Sequence, residues 1–126
     1  MAQHNETGSR GEDMAVSYLV AHGYDIVDRN WRMNHLELDI VARKGSRLFF
    51  VEVKTRTSTF IDPIESITPR KIRNLVNSAN GYMQQYGLNF EAQFDLILIT
   101  PGKGDEDEWH LEHIADAFYP PMKTYC

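Results

Sequence analysis

Two β-rich runs joined by a short turn limit what this 126-residue chain can fold into more than any other feature. Residues 36–43 (LELDIVAR) and 47–56 (RLFFVEVKTR) are dominated by β-branched and aromatic residues. Gly45-Ser46 between them marks a tight hairpin, with Gly45 supplying the positive φ of a type II′ turn. Each run also carries charge where apolar side chains belong: Glu37 and Asp39 in the first, Glu52 and Lys54 in the second. Lys and Glu are rarely buried unless paired, and an unpaired buried charge is driven to neutralise or to reach solvent. Either these positions lie at a solvent-reaching rim, or something else supplies the compensating charge.

Register decides how the charges meet. Side chains on a strand alternate faces, so Glu37 and Asp39 should share one face, as should Glu52 and Lys54. With Gly45-Ser46 as the turn, Lys44 opposes Arg47 and Asp39 opposes Glu52. With Lys44-Gly45 as the turn, Asp39 opposes Phe50 and Glu52 is its diagonal neighbour. Both bring Asp39, Glu52 and Lys54 together, whereas a three-residue turn would part them. Two carboxylates opposed on a sheet repel each other, and a divalent cation between them reverses that sign. Hard oxygen ligands suit Mg²⁺ or Mn²⁺, which take one or two carboxylates and keep several waters. A lysine on the same face reaches a metal-bound water or a phosphate oxygen with a compact charge. Read this way, the residues form a metal site flanked by a cation, a device for attacking phosphodiesters with activated water. The alternative is an exposed hairpin with an ordinary Glu52–Lys54 salt bridge.

The rest of the chain supplies a frame. Ala15, Tyr18, Leu19 and His22 recur at helical spacing and predict a helix over about 9–22, stopped at Gly23. Residues 24–31 read as a short strand, and 57–68 as a loop. Thr68 as N-cap and Pro69 at the first position open a second helix that ends at Gly87, with Ile72, Leu75, Val76, Ala79 and Met83 as its buried stripe. FDLILIT (94–100) is a continuous apolar strand of the kind covered on both faces, and 109–118 reads as one more strand. A length of 126 residues predicts a single domain, and the order α-β-β-β-α-β-β suggests a mixed sheet sandwiched by helices.

Net charge is −5, but its distribution matters more than the sum. Residues 29–73 hold ten Lys and Arg against five Asp and Glu, whereas the remainder holds three bases against thirteen acids. The charged strand pair therefore lies in a basic segment, and DEDE (105–108) reads as a solvated loop. Apolar runs such as LFFV are far too short to cross a bilayer, so no membrane partner is expected. MAQHNETGSRGED lacks the order of a secretory signal, which leaves Asn5 in its NET sequon without a route to glycosylation. One cysteine, Cys126, excludes an internal disulfide; a cytoplasmic location is the expectation.

These patterns resemble the PD-(D/E)XK nuclease superfamily, and most closely its YraN-like branch, whose members look like archaeal Holliday-junction resolvases. GSRGEDMAVSYLVAHGY resembles the opening helix of that branch, LELDIVA its GEIDLIA, and FFVEVKTR its signature strand nearly letter for letter. ESITPRKIRNL, FDLILI and HIADAF follow in the same order, so the similarity spans about residues 8–118. Leu36 stands where the branch has glycine. The resemblance implies a restriction-endonuclease-like α/β fold and a Mg²⁺ or Mn²⁺ site made by Asp39, Glu52 and the carbonyl of Val53. Lys54 would then orient or activate the attacking water, and Glu12 would approach from the first helix. Glu37 would be a second acid at the rim or the partner of a nearby arginine. Thr55, Arg56, Arg70, Lys71 and Arg73 would contact a nucleic-acid backbone, setting position and affinity without reading sequence.

The expected activity is therefore a metal-dependent endonuclease on DNA, including branched or repair-associated DNA. Symmetrical cutting of a junction would require a homodimer. Two rivals come from other classes. One is a non-catalytic nucleic-acid-binding module on the same scaffold, and the other an adaptor whose acidic loop engages a basic protein. His110 and His113 fall on opposite faces of their strand and read as surface histidines. Trp31 and Trp109 read as core or rim aromatics.

Overall fold

The computed structural model describes residues 6–56, 68–102 and 108–117. The expected loop over 57–67, most of the acidic run, Asn5 and Cys126 lie outside them. Helix α1 (Glu6–Ala21) precedes strands β1 (Asp25–Met33), β2 (Leu36–Lys44) and β3 (Arg47–Thr55). Helix α2 (Pro69–Gln85) then leads to β4 (Glu91–Thr100) and β5 (His110–Ile114). The five strands form one mixed sheet in the order β1-β2-β3-β4-β5. Neighbours pair antiparallel except β3 and β4, which are parallel. A parallel pair needs a crossover connection, and α2 lies in it. This is the expected order, α-β-β-β-α-β-β.

The helices cover opposite faces. Ala15 and Leu19 of α1 pack on Ile40, Ala42, Phe49 and Val51. Leu75, Ala79 and Tyr82 of α2 pack on Trp31, Leu38, Val41 and Phe50. Strand β4 is buried from Phe94 to Ile99, which is why FDLILI has no polar-out alternation. Each such aliphatic side chain removed from water contributes about 1.5–3 kcal/mol, so β4 and its two helical covers hold the layers together. Trp31 is a core residue, as its sequence context indicates. Among the described residues, no helix is long and apolar enough to cross a membrane.

Local chemistry sets the elements that matter for the site. Gly45 has φ 64, and Lys44 pairs with Arg47, so Gly45-Ser46 is the turn and the first of the two even registers holds. Thr68 caps α2 by accepting the Lys71 backbone N–H at 3.1 Å, with Pro69 at the first helical position. The α2 face that packs inward is rotated slightly from the expected stripe. Leu75, Ser78, Ala79 and Tyr82 are buried, and Ile72, Val76 and Met83 flank them half-buried. Ser78 satisfies its hydroxyl on the Asn74 carbonyl at 2.7 Å, which lets a polar residue sit there. At the other helix, Gly11 lies so close to β3 that any side chain would collide with the Thr55 hydroxyl.

Three expectations need correction. Strand β5 is five residues long rather than spanning 109–118. Its chain turns at Asp116 (φ 56), whose N–H is donated to Asp95 Oδ1 at 3.0 Å. His113 is not a surface residue: its side chain is 12% exposed and bonds to the fully buried Asp95 at 2.7 Å. Its other ring nitrogen meets the Tyr18 hydroxyl at 3.0 Å, tying β5 to α1. Finally, β2 does not alternate simply. Leu36 and Leu38 pack on the α2 side, but Ile40 and Ala42 pack on the α1 side. The strand changes phase at Asp39.

Candidate active site

That change of phase aims Asp39 along the sheet. The β2–β3 ladder runs from Lys44↔Arg47 to Ile40↔Val51, and the next position would oppose Asp39 to Glu52. There the Asp39 carboxylate itself takes up the strand edge: Oδ2 accepts the Val53 N–H at 2.9 Å. The N–H and C=O of one strand residue leave on the same side, so the Val53 carbonyl faces the Asp39 edge too. Glu52 and Lys54 follow Leu48 and Phe50 on the α2 face.

The electrostatics are those of a crowded anionic site. Burial and the charge of Glu52 push the Asp39 carboxyl up to about 7, against the pull of the Val53 amide, with Glu12 and Glu37 adding to the rise. Glu52 is itself nearly enclosed, its side chain 10% exposed, and Lys71 Nζ sits 2.8 Å from Oε2. Burial works against the Lys71 charge, yet the bond to Glu52 lifts its pKa above the usual lysine value. Lys54 moves the other way: burial and the neighbouring Lys71 charge lower it, opposed by Glu52 and Asp39. The two lysines differ because one is tied to a carboxylate and the other faces it beside a like charge.

Each residue singled out in the sequence can now be placed. Asp39, Glu52 and Lys54 gather at the splayed end of β2 and β3, and Lys71 joins them from the first turn of α2. Lys71 thus lies against a carboxylate rather than standing as a free surface base. Its position was legible in outline, since it stands four residues before Leu75 on the buried side of α2. Glu12 sits on the α1 side, where Oε1 accepts from Asn30 Nδ2 at 2.9 Å and from Arg29 Nη2 at 3.1 Å, within electrostatic reach of Asp39. Glu37 is an exposed partner of Arg32 at 3.3 Å. Thr55 is half-buried against Gly11, and the Arg56 backbone N–H bonds the Ile99 carbonyl at 2.8 Å. Arg70 and Arg73 are exposed on α2. A pocket of about 170 Å³ opens beside Glu52, lined by His35, Glu37, Lys71, Asn74 and Leu75.

The donor set can be tested for fit to a metal. Among the described residues, no three of His, Cys, Asp and Glu converge as a ready-made cluster. Two carboxylates of adjacent strands do converge, and the cost of charging Asp39 is the cost that a cation between them would remove. All-oxygen donors of this number fit a hard divalent cation that keeps most of its waters.

An α/β sheet with this strand order, carrying Asp on β2 and Glu-x-Lys on β3, has the layout that the resemblance to the PD-(D/E)XK class implies. Comparison with known proteins names the family. The pattern of the Uncharacterised protein family UPF0102 matches residues 11–99, and the chain belongs to it. A UPF0102 protein of Bacteroides thetaiotaomicron is 46% identical over 123 residues, covering 97% of this chain and 99% of its own. A Flavobacterium psychrophilum relative is 41% identical over 120 residues, covering 94% and 98%. Among solved structures, this chain is similar to Archaeoglobus fulgidus Hjc, a Holliday junction resolvase from an archaeal hyperthermophile. That match has 21% identity and a TM-score of 0.48, and covers 82% of this chain and 70% of that one.

Proposed function

We propose that this protein is a Mg²⁺- or Mn²⁺-dependent endonuclease that hydrolyses DNA phosphodiesters, including those of branched or repair-associated DNA. The observation that carries the reading is the Asp39 carboxylate, held on the Val53 amide beside the enclosed Glu52. Two such groups without a cation between them destabilise the fold that holds them, which is what a site built for a metal does. Asp39, Glu52 and the Val53 carbonyl would hold the ion. When bound, it supplies an activated water and neutralises charge on the phosphate.

The chain's own residues do the remaining work. Lys54 follows Glu52 on the same face, with its charged form disfavoured by burial and by Lys71, so it would orient the attacking water and stabilise charge on the phosphate. Glu52 is kept in place by Lys71, whose backbone is in turn fixed by the Thr68 cap. Arg70 and Arg73, exposed on the same helix, and Thr55 and Arg56 at the end of β3, line the approach for a phosphate backbone. Cutting a junction symmetrically would use a homodimer.

A second reading is favoured by the Lys71–Glu52 pair itself. An ammonium 2.8 Å from Glu52 offsets one of the two carboxylates without any metal, as a non-catalytic nucleic-acid-binding module would need. The test is cleavage of single-stranded, duplex, flap and four-way-junction DNA with Mn²⁺ by the wild type, Asp39→Asn and Lys54→Ala. The nuclease reading expects metal-dependent products lost in both variants. Salt-sensitive binding without any cleavage would select the binding module, and activity surviving in both variants would remove the site assignment.

A further inference from the structure

One residue beside the site breaks the rules of its strand. Asn30 lies inside β1 yet has φ 52, a left-handed conformation that Asn tolerates and that costs most other residues about 1–2 kcal/mol. The β1–β2 register brackets it: Arg29 pairs with Ile40 and Trp31 with Leu38, which sets Asn30 level with Asp39. The alternation of β1 reverses at this point, as that of β2 does at Asp39. Arg29 reaches the α1 residues Glu12 and Asp13, at 3.1 and 2.8 Å, whereas Trp31 packs into the α2-side core. Both strands therefore turn over together at one level, and that turn is what frees Asp39 from ordinary alternation.

The side chain of Asn30 does a second thing. Its amide donates to Glu12 Oε1 at 2.9 Å, on the same oxygen that Arg29 reaches. Without that donor, Glu12, in the second turn of α1, is left to the exposed Arg29, which Asp13 shares at the shorter distance of 2.8 Å. We propose that Asn30 is a positioning residue of the metal site. Its left-handed backbone turns the strand pair over at Asp39, and its amide holds the Glu12 carboxylate beside that aspartate. The inference rests on the metal-site reading given above, and makes Glu12 an acid of that site through an outer hydrogen bond. Partners of this kind orient the groups around a metal, and their loss typically weakens metal binding about 10–100-fold.

The experiment is a Mn²⁺ titration by isothermal calorimetry without DNA, on the wild type, Asp39→Asn, Glu12→Gln, Asn30→Gly, Asn30→Asp and the double variant Glu12→Gln/Asn30→Gly. Glycine keeps the left-handed backbone and removes only the amide; aspartate also tolerates that backbone but repels Glu12. Thermal melts in EDTA confirm folding, and Asn30→Asp carries the test should Asn30→Gly not fold. Asn30→Gly should bind Mn²⁺ about tenfold or more weakly, Asn30→Asp more weakly still, and the double variant no more weakly than Glu12→Gln alone. A merely structural residue would instead add its effect to that of Glu12→Gln. Wild-type affinity in Asn30→Gly and Asn30→Asp while Asp39→Asn fails to bind would overturn the positioning role and leave the metal site standing. Wild-type affinity in Asp39→Asn would overturn the metal site itself.

Discussion

Replacing Asp39 with asparagine should make the metal-free protein more stable at neutral and alkaline pH while abolishing the proposed metal site. Burial and the Glu52 charge raise the Asp39 carboxyl from 3.8 to about 7. Because the folded state then holds the proton more tightly than the unfolded one, stability is greatest at low pH. It falls as pH climbs from about 4 to about 7, then levels off. At about 1.36 kcal/mol per pH unit, the rise from pH 5 to pH 8 costs the wild type roughly 2–3 kcal/mol that an uncharged side chain avoids. In a chain of this length about 1 kcal/mol moves the melting temperature by about 3–4 °C. The variant should thus gain on the order of 10 °C over the wild type between the two pH values. Asparagine can still accept the Val53 N–H, so the strand edge is kept. Scanning fluorimetry in EDTA at pH 5 and pH 8 measures the difference. Saturating Mn²⁺ should then restore the wild type by about 2.7 kcal/mol at a hundred times Kd and leave the variant where it was. Parallel pH responses of the two proteins in EDTA would refute the claim that Asp39 is charged against burial and Glu52.

Two other substitutions probe neighbouring claims. Lys71→Met leaves the nearly enclosed Glu52 without its partner at 2.8 Å. Because Lys71 is 35% exposed, the loss in EDTA should be about 1–3 kcal/mol, and Mn²⁺ should restore more stability to the variant than it adds to the wild type; melts with and without the ion decide it. His113→Ala removes the 2.7 Å partner of the buried Asp95 and should cost about 2–3 kcal/mol at pH 7 in urea titrations. Burial raises the Asp95 pKa, but His113, the Asp116 amide and Gln93 together bring it below its ordinary value. The stability this contributes is present above pH 4 and lost below it, so the deficit should narrow in acid.

Much of this arrangement is local and so was legible. Gly45 and the two β-rich runs mark the hairpin and narrow its register to two even turns, and Thr68-Pro69 announces α2. What escaped the sequence depends on contacts between distant segments. The end of β5 is set by Asp95, twenty-one residues upstream of Asp116, whose N–H it accepts in a hydrogen bond that no local pattern shows. A signal was present, since a lone aspartate in the doubly covered run FDLILIT requires a buried partner. Leu111 and His113 share a strand face that could supply it. Simple alternation mispredicted β2 because the strand changes phase at Asp39, level with Asn30 of the neighbouring strand, whose φ is 52. A positive φ at a non-glycine residue is not written in composition or periodicity. Lys71 was read as a phosphate contact because the direction in which α2 crosses the sheet depends on packing. Only its place above Leu75 and Ala79 hinted at an inward reach.

The most direct test of the whole account is anomalous scattering from a crystal grown with Mn²⁺. A peak bounded by the Asp39 and Glu52 carboxylates and the Val53 carbonyl, at the roughly 2.0–2.3 Å expected of hard-cation oxygen ligands, is the predicted result. A saturated crystal with its only manganese elsewhere on the surface would contradict it.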